Sequence, residues 1–191
     1  MRMARPTYLY CAGLLLAVIT LALHFLVLNL SPSMPVGLYL KTGKANASNL
    51  KTGDLVLACL PPEIKKFGLA RGYLGKASIC QGADAVIKQI YGVPGDDLTL
   101  TMKGMITKSA YYIFPTKVRD SQNRPLPYIS RGAYNNTTGY WLIGTNSPDS
   151  WDARYWGPVP LTNILSHVKP LVVFPGIGEK DQPDQPIFGN E

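Results

Sequence analysis

The feature that most constrains this chain is a run without a charged residue, residues 8–30, that stops abruptly at Ser31-Pro32-Ser33-Met34-Pro35. As a helix rising about 1.5 Å per residue, such a run reaches across a hydrocarbon core of roughly 30 Å. It therefore reads as one N-terminal transmembrane helix over 8–30. The competing reading is a cleavable signal peptide, since Arg2 and Arg5 make a basic start. The run is too long for that, and no small-x-small site closes it. By the positive-inside rule residues 1–7 are cytoplasmic and the body lies outside, although Lys41, Lys44 and Lys51 on the far flank weaken the asymmetry. His24, inside the run, is either a functional polar site or a partly satisfied histidine among apolar neighbours.

Beyond the seam the chain is rich in turn formers. The whole chain holds 18 Gly, 16 Pro and 11 Tyr with 16% charged residues, a balance that favours short strands over long helices. The expectation is one mainly β domain over 31–175. Strands are expected at Leu55–Cys59, Ala85–Tyr91, Leu98–Met102, Ser109–Phe114, Tyr140–Ile143 and Val168–Phe174, with a short helix over 63–70. Gly92-Val93-Pro94-Gly95-Asp96 is a turn. Residues 176–191 mix Pro, Asp, Gln and Gly with little apolar content and read as a flexible tail. The net charge of +7 would suit nucleic acid or an anionic surface, but Lys and Arg form no run of five or more. A solvated basic surface that touches anionic lipid fits better, and no nucleic-acid partner is expected.

Histidine is scarce, with only His24 and His167 present. Metal centres built on His clusters and most Ser-His-Asp triads are therefore hard to assemble, and no metal or other cofactor is expected. Cys11 lies in the apolar run. Cys59 and Cys80 remain, either bonded in an oxidising compartment or as two buried thiols. Ser33, at the end of the apolar run, is placed to act as a nucleophile on substrates in or leaving a bilayer, and a serine nucleophile needs a base. In Ala85-Val86-Ile87-Lys88-Gln89-Ile90-Tyr91 the period of two puts Lys88 on one face with Val86 and Ile90. A lysine so flanked sits at a solvated edge or in a desolvated pocket, and only the pocket lowers its pKa enough for general-base work.

Three segments taken together, SPSMP, IKQIYGVPGDD and GTNSPDSWDARYWGPVP, resemble the nucleophile, lysine and C-terminal boxes of the type I signal peptidase family of Ser/Lys proteases. The longer pattern Asn29-x-Ser31-x-Ser33-x-Pro35-x-Gly37-x-Tyr39 looks most like the TraF branch, peptidases of conjugative plasmid transfer that process the pilin subunit. The resemblance implies an antiparallel β catalytic domain, in the periplasm, on one helix in the bacterial inner membrane. It implies Ser33 as nucleophile, Lys88 as base and Ser31 as an oxyanion donor beside the Ser33 N–H. It further implies Ser150 as the group that orients Lys88, and Asp152 with Arg154 as a supporting ion pair on one face of an extended segment. The implied partner is an exported pilin precursor or another preprotein. Thr145 stands where many relatives carry Asp after the glycine, and Pro148 and Asp149 replace a more charged stretch, which leaves open which of Asp149 and Asp152 matters more. A general signal peptidase and a structural subunit of a secretion or conjugation apparatus are the alternatives.

Overall fold

The computed structural model describes residues 5–174, apart from 102, 108–110, 113, 114, 136 and 137. The tail over 176–191 and most of the strand expected at Ser109–Phe114 lie outside the described residues. The first element is helix α1, Arg5–Phe25. Among the described residues no helix is long and apolar enough to cross a membrane.

The helix ends sooner than the sequence suggested. Leu26–Asn29, read as its last turn, is strand β1, antiparallel to β2 (Gly37–Lys44) with Leu26 opposite Leu40 and Asn29 opposite Gly37. The reason lies in the unpaired backbone along β2. A short apolar edge strand satisfies it, and Pro32 and Pro35, which lack an N–H, favour the reversal between the strands over continued helix. The β domain thus begins at Leu26 rather than at residue 31.

The remaining elements are β3 (Leu55–Ala58), α2 (Pro62–Arg71), β4 (Val86–Gly92), β5 (Asp97–Leu100), β6 (Met105–Thr107), β7 (Tyr111–Tyr112), β8 (Gly132–Asn135), β9 (Trp141–Ile143), the single turn α3 (Ala153–Trp156) and β10 (Ile164–Val173). They form a six-stranded sheet in the order β1-β2-β10-β3-β4-β9 and a four-stranded sheet in the order β7-β6-β5-β8. Every pairing is antiparallel, so the domain is mainly β as its composition implied.

Strand β4 is an interior strand, between β3 and the edge strand β9, and its burial does not alternate: Ile87, Lys88, Ile90 and Tyr91 are all buried. One core cluster joins Tyr91, Trp141 and Ile143 to Leu98, Leu100 and Met105 of the smaller sheet. Another joins Met34 and Tyr39 to Leu57, Ile87 and Val168. Met34 comes directly after Ser33 and Ile87 directly before Lys88, so packing their side chains together brings the seam and the lysine strand into register.

Helix α2 starts on Pro62, which is preorganised for a first turn, and stops at Gly72 in the left-handed conformation (φ 73°). Gly68 has no room for a side chain, because a Cβ there would lie 2.7 Å from the Trp151 ring. Cys59 and Cys80 form a disulfide that encloses α2, and Lys65 Nζ donates to the Cys80 and Gln81 carbonyls at 3.1 and 3.3 Å. Closing a loop of this size contributes about 3 kcal/mol in the chain-entropy account.

Candidate active site

The Pro32–Pro35 turn between β1 and β2 carries Ser33, 8% exposed. Its hydroxyl lies 2.9 Å from Ser31 Oγ, and its backbone N–H donates to the same Ser31 oxygen at 3.4 Å. The turn is gripped from the far end of the chain: Asn146 N donates to the Ser33 carbonyl at 3.1 Å, and Asn146 Nδ2 to the Pro32 carbonyl at 3.1 Å. Gly144 makes this approach possible. A Cβ there would fall 2.0 Å from Ser150 Oγ and 2.8 Å from the Ser33 carbonyl oxygen.

Lys88 is 2% exposed and opposite Val56 in the β3–β4 ladder, so the pocket reading of this residue holds and the solvated edge does not. Its Nζ donates to Ser150 Oγ at 2.9 Å. Burial draws its pKa down to about 8; Asp152 works against that shift and Arg154 with it. At such a pKa a substantial neutral fraction exists near physiological pH, which a solvated lysine near 10.4 never provides.

Behind Ser150 lies a fully buried ion pair. Asp152 and Arg154 have no exposed side-chain surface; Arg154 Nε lies 2.8 Å from Asp152 Oδ1 and its Nη2 2.9 Å from Oδ2. The expected extended segment is absent. Asp152 is the N-cap of α3, accepting from Arg154 N, and the guanidinium folds back over the cap. The two residues meet through a cap and first turn rather than across one face of a strand. The remaining valences are filled: Gly144 N donates to Asp152 Oδ2 at 3.1 Å, and Arg154 donates to the Ser150 and Pro115 carbonyls at 2.7 and 2.9 Å. Burial alone would raise the Asp152 pKa, but Arg154, Lys88 and the Ser150 hydroxyl hold it below the usual carboxylate value. Removing one member of such a pair strands a buried charge, at a cost of about 3–5 kcal/mol. Asp149 is different in kind: it pairs with Lys117 at the surface, both side chains partly exposed.

Ser33 and Lys88 line one cleft of about 610 Å³, whose lining also includes Leu28 and Leu30, Tyr73, Leu74 and Ile79 from the disulfide-closed segment, and Ser150 with Trp151. The fold therefore brings Ser31, Ser33, Lys88, Ser150, Asp152 and Arg154 together, while Cys59 and Cys80 staple the segment that carries Tyr73, Leu74 and Ile79. Ser33 and Lys88 do not hydrogen-bond each other; each is held by its own serine. Sequence reasoning assigned no role to Gly144 or Asn146, and gave Asn29 only a place in a pattern. A glycine inside an apolar strand end, with a polar run after it, was the available signal. Among the described residues no group of three or more His, Cys, Asp or Glu is placed to hold a metal ion.

Known proteins are similar to this chain in sequence over most of its length. The chain is 31% identical over 152 residues to a probable conjugal transfer protein TraF of Sinorhizobium fredii, covering 77% of each chain. It is 30% identical over 151 residues to a plasmid transfer protein TraF of Escherichia coli, covering 76% of this chain and 82% of that one. A probable signal peptidase I-2 of Synechocystis is 29% identical over 94 residues, 43% of this chain and 35% of the other. Residues 2–173, which include both serines of the seam, the buried lysine and the Ser150–Arg154 support, match the signal peptidase family, peptidase S26, and the chain belongs to that family.

Proposed function

We propose that the chain is a membrane-anchored serine endopeptidase in which Lys88 is the base for Ser33, and that it processes an exported pilin precursor in conjugative transfer. The observation that carries this reading is Lys88: buried, drawn down to a pKa of about 8, and open to the same cleft as Ser33. Family membership supports the serine chemistry, and the TraF names of the relatives support the conjugative setting.

Neutral Lys88 takes the Ser33 hydroxyl proton as Oγ attacks the scissile carbonyl, then passes it to the departing amine, leaving an ester on Ser33. The Ser33 N–H and the Ser31 hydroxyl already face one another, and together they suit the oxyanion of the tetrahedral intermediate. Substrate entry transfers the Ser33 hydrogen bond from Ser31 to Lys88, the kind of tightening expected between a free and an occupied site. Water resolves the ester to give a shortened subunit; the pilin's own N-terminal amine would give a cyclic one.

The anchor belongs to the same proposal. The large hydrophobic side chains of Tyr8, Leu9, Tyr10, Leu14, Leu15 and Leu16 are exposed on α1. An apolar exposed surface of this kind suits lipid, and α1 leads straight into β1 at the cleft, which would hold the cleft at the outer membrane face.

The test is mass spectrometry of a candidate pilin co-expressed with the native protein and with Ser33→Ala. Loss of a peptide with the native protein alone is the expected result, and a further deficit of one water reports cyclisation. A pilin left intact by the native protein overturns the pilin assignment; processing by Ser33→Ala overturns the nucleophile.

A further inference from the structure

Asn29 is the last residue of β1, 8% exposed, and its side-chain amide sits inside the loop that the seam makes before β2. Its Oδ1 accepts from Ser31 N at 3.2 Å. Its Nδ2 faces three carbonyl oxygens, those of Ser31 at 3.0 Å, Met34 at 3.2 Å and Pro35 at 2.9 Å. Three acceptors around one atom require it to be the nitrogen, so the amide has one workable orientation. Tyr39 adds a second tie, its hydroxyl donating to the Pro35 carbonyl at 2.7 Å.

These contacts bracket Ser33 on both sides in sequence. Ser31, whose hydroxyl meets both Ser33 Oγ and Ser33 N–H, is pinned through its own N–H and C=O to the same amide that holds Met34 and Pro35. Two prolines in the turn remove backbone donors, so the carbonyls of this loop have few main-chain partners and the Asn29 amide supplies them. No other residue type fits the set: Asp would set a carboxylate oxygen against three carbonyls, and Gln would carry the amide one methylene too far.

We infer that Asn29 is a positioning residue whose amide, bonded to the loop, fixes the Ser31–Ser33 backbone and with it the line of attack of Ser33 Oγ. The inference rests on the proposed role of Ser33. Its kinetic signature is specific. Asn29 is one of many residues that line the cleft and its amide is spent on the loop, so binding largely survives its loss, whereas the nucleophile and oxyanion donors lose their alignment in the acylation step. Lys88 lies on another strand with its own support, so the pH at which the rate rises stays where it is.

The experiment compares native protein, Asn29→Ala, Asn29→Asp and Ser33→Ala on a peptide substrate, in full-length protein, with thermal melting alongside. Asn29→Ala is expected to lower kcat by about 100-fold, the scale of a misplacement of about 1 Å, with KM held within about threefold. Asn29→Asp is close in shape and keeps the acceptor for Ser31 N–H, which makes it the informative variant where Asn29→Ala does not fold; its kcat falls likewise. A folded variant with kcat within about threefold of native overturns the inference, as does a loss carried by KM or a displaced pH midpoint. If Ser33→Ala remains active, the reading of Ser33 has failed instead; if Ser33→Ala is dead while Asn29→Ala is fully active, only the positioning role has failed.

Discussion

The two halves of the site are built from different physics. The turn that carries Ser33 is neutral and held by amide-to-carbonyl hydrogen bonds, local ones from Asn29 and remote ones from Asn146. The lysine half is ionic and desolvated, a chain from Lys88 through Ser150 to a fully buried Asp152–Arg154 pair. The first arrangement fixes where an atom is; the second fixes whether it holds a proton. A change in the turn should therefore show in the acylation rate, and a change behind Lys88 in the pH dependence of that rate. Gly144 belongs to both halves, since it touches Ser150 on one side and the Ser33 carbonyl on the other.

The largest expected effects lie at Lys88. Lys88→Arg should be inactive, because a guanidinium does not deprotonate. On the proposed mechanism the active form is the deprotonated one, so the rate should rise with pH through about 8. A histidine-like rise near pH 6.5 would break the assignment. The stability consequence has a definite sign. The folded pKa lies below the unfolded value of about 10.4, so the unfolded chain binds the proton more tightly and folding carries a penalty of roughly 3 kcal/mol below pH 8. Between about 8 and 10.4 the unfolded chain still holds more proton, stability climbs with pH, and the penalty is gone above that window. Lys88→Met should accordingly be dead and yet at least as stable as the native protein at neutral pH. A clearly lower melting temperature for Lys88→Met would mark Lys88 as a structural cation and remove it from the chemistry.

A smaller but sharper effect is expected at the shared glycine. In Gly144→Ala the new methyl meets Ser150 Oγ and the Ser33 carbonyl at distances that force a shift, for a loss of about 1–3 kcal/mol. The matched control is Gly139→Ala, where the Cβ would meet Pro158 at 2.7 Å away from the cleft. Both variants should lose stability to a similar degree, measured by denaturant unfolding, while only Gly144→Ala loses kcat beyond its folded fraction. Equal activities at equal stability would show that Gly144 packs the domain and does not align the two halves.

How much of this could be read in the sequence divides along the same line. The lysine strand was legible because β4 has apolar neighbours at period two and a turn signal after Gly92. The boundary of the apolar run was not. Leu26–Asn29 has the composition of the helix before it, and only pairing with β2, which lies beyond the Pro32–Pro35 turn, makes it a strand. β2 was not among the expected strands, and its Gly37 is glycine for a packing reason: a Cβ would sit 2.2 Å from the Val172 carbonyl of β10. The Asp152–Arg154 spacing was legible as a pair but not as a helix cap, since a four-residue helix has no periodicity to detect. Asn29 and Asn146 act through hydrogen bonds to backbone, which no residue pattern encodes.

The smallest predicted effect concerns the two aspartates that the sequence left unranked. Asp149 pairs with Lys117 where both side chains meet solvent, and pairs of that kind contribute under about 1 kcal/mol. It lines the cleft but is not among the groups that set the Lys88 pKa, which are burial first, then Asp152 raising it and Arg154 lowering it. Asp149→Asn should therefore leave both the melting temperature and the pH midpoint nearly unmoved. Asp152→Asn removes the one carboxylate that favours the ammonium form and leaves Arg154 to disfavour it, so in whatever fraction folds the midpoint should move to lower pH, not higher. The measurement is the pH dependence of single-turnover cleavage for the two variants side by side. If Asp149→Asn shifts the midpoint as far as Asp152→Asn does, the charge that tunes Lys88 acts through the cleft rather than from behind Ser150, and the division between a geometric half and an ionic half of the site fails.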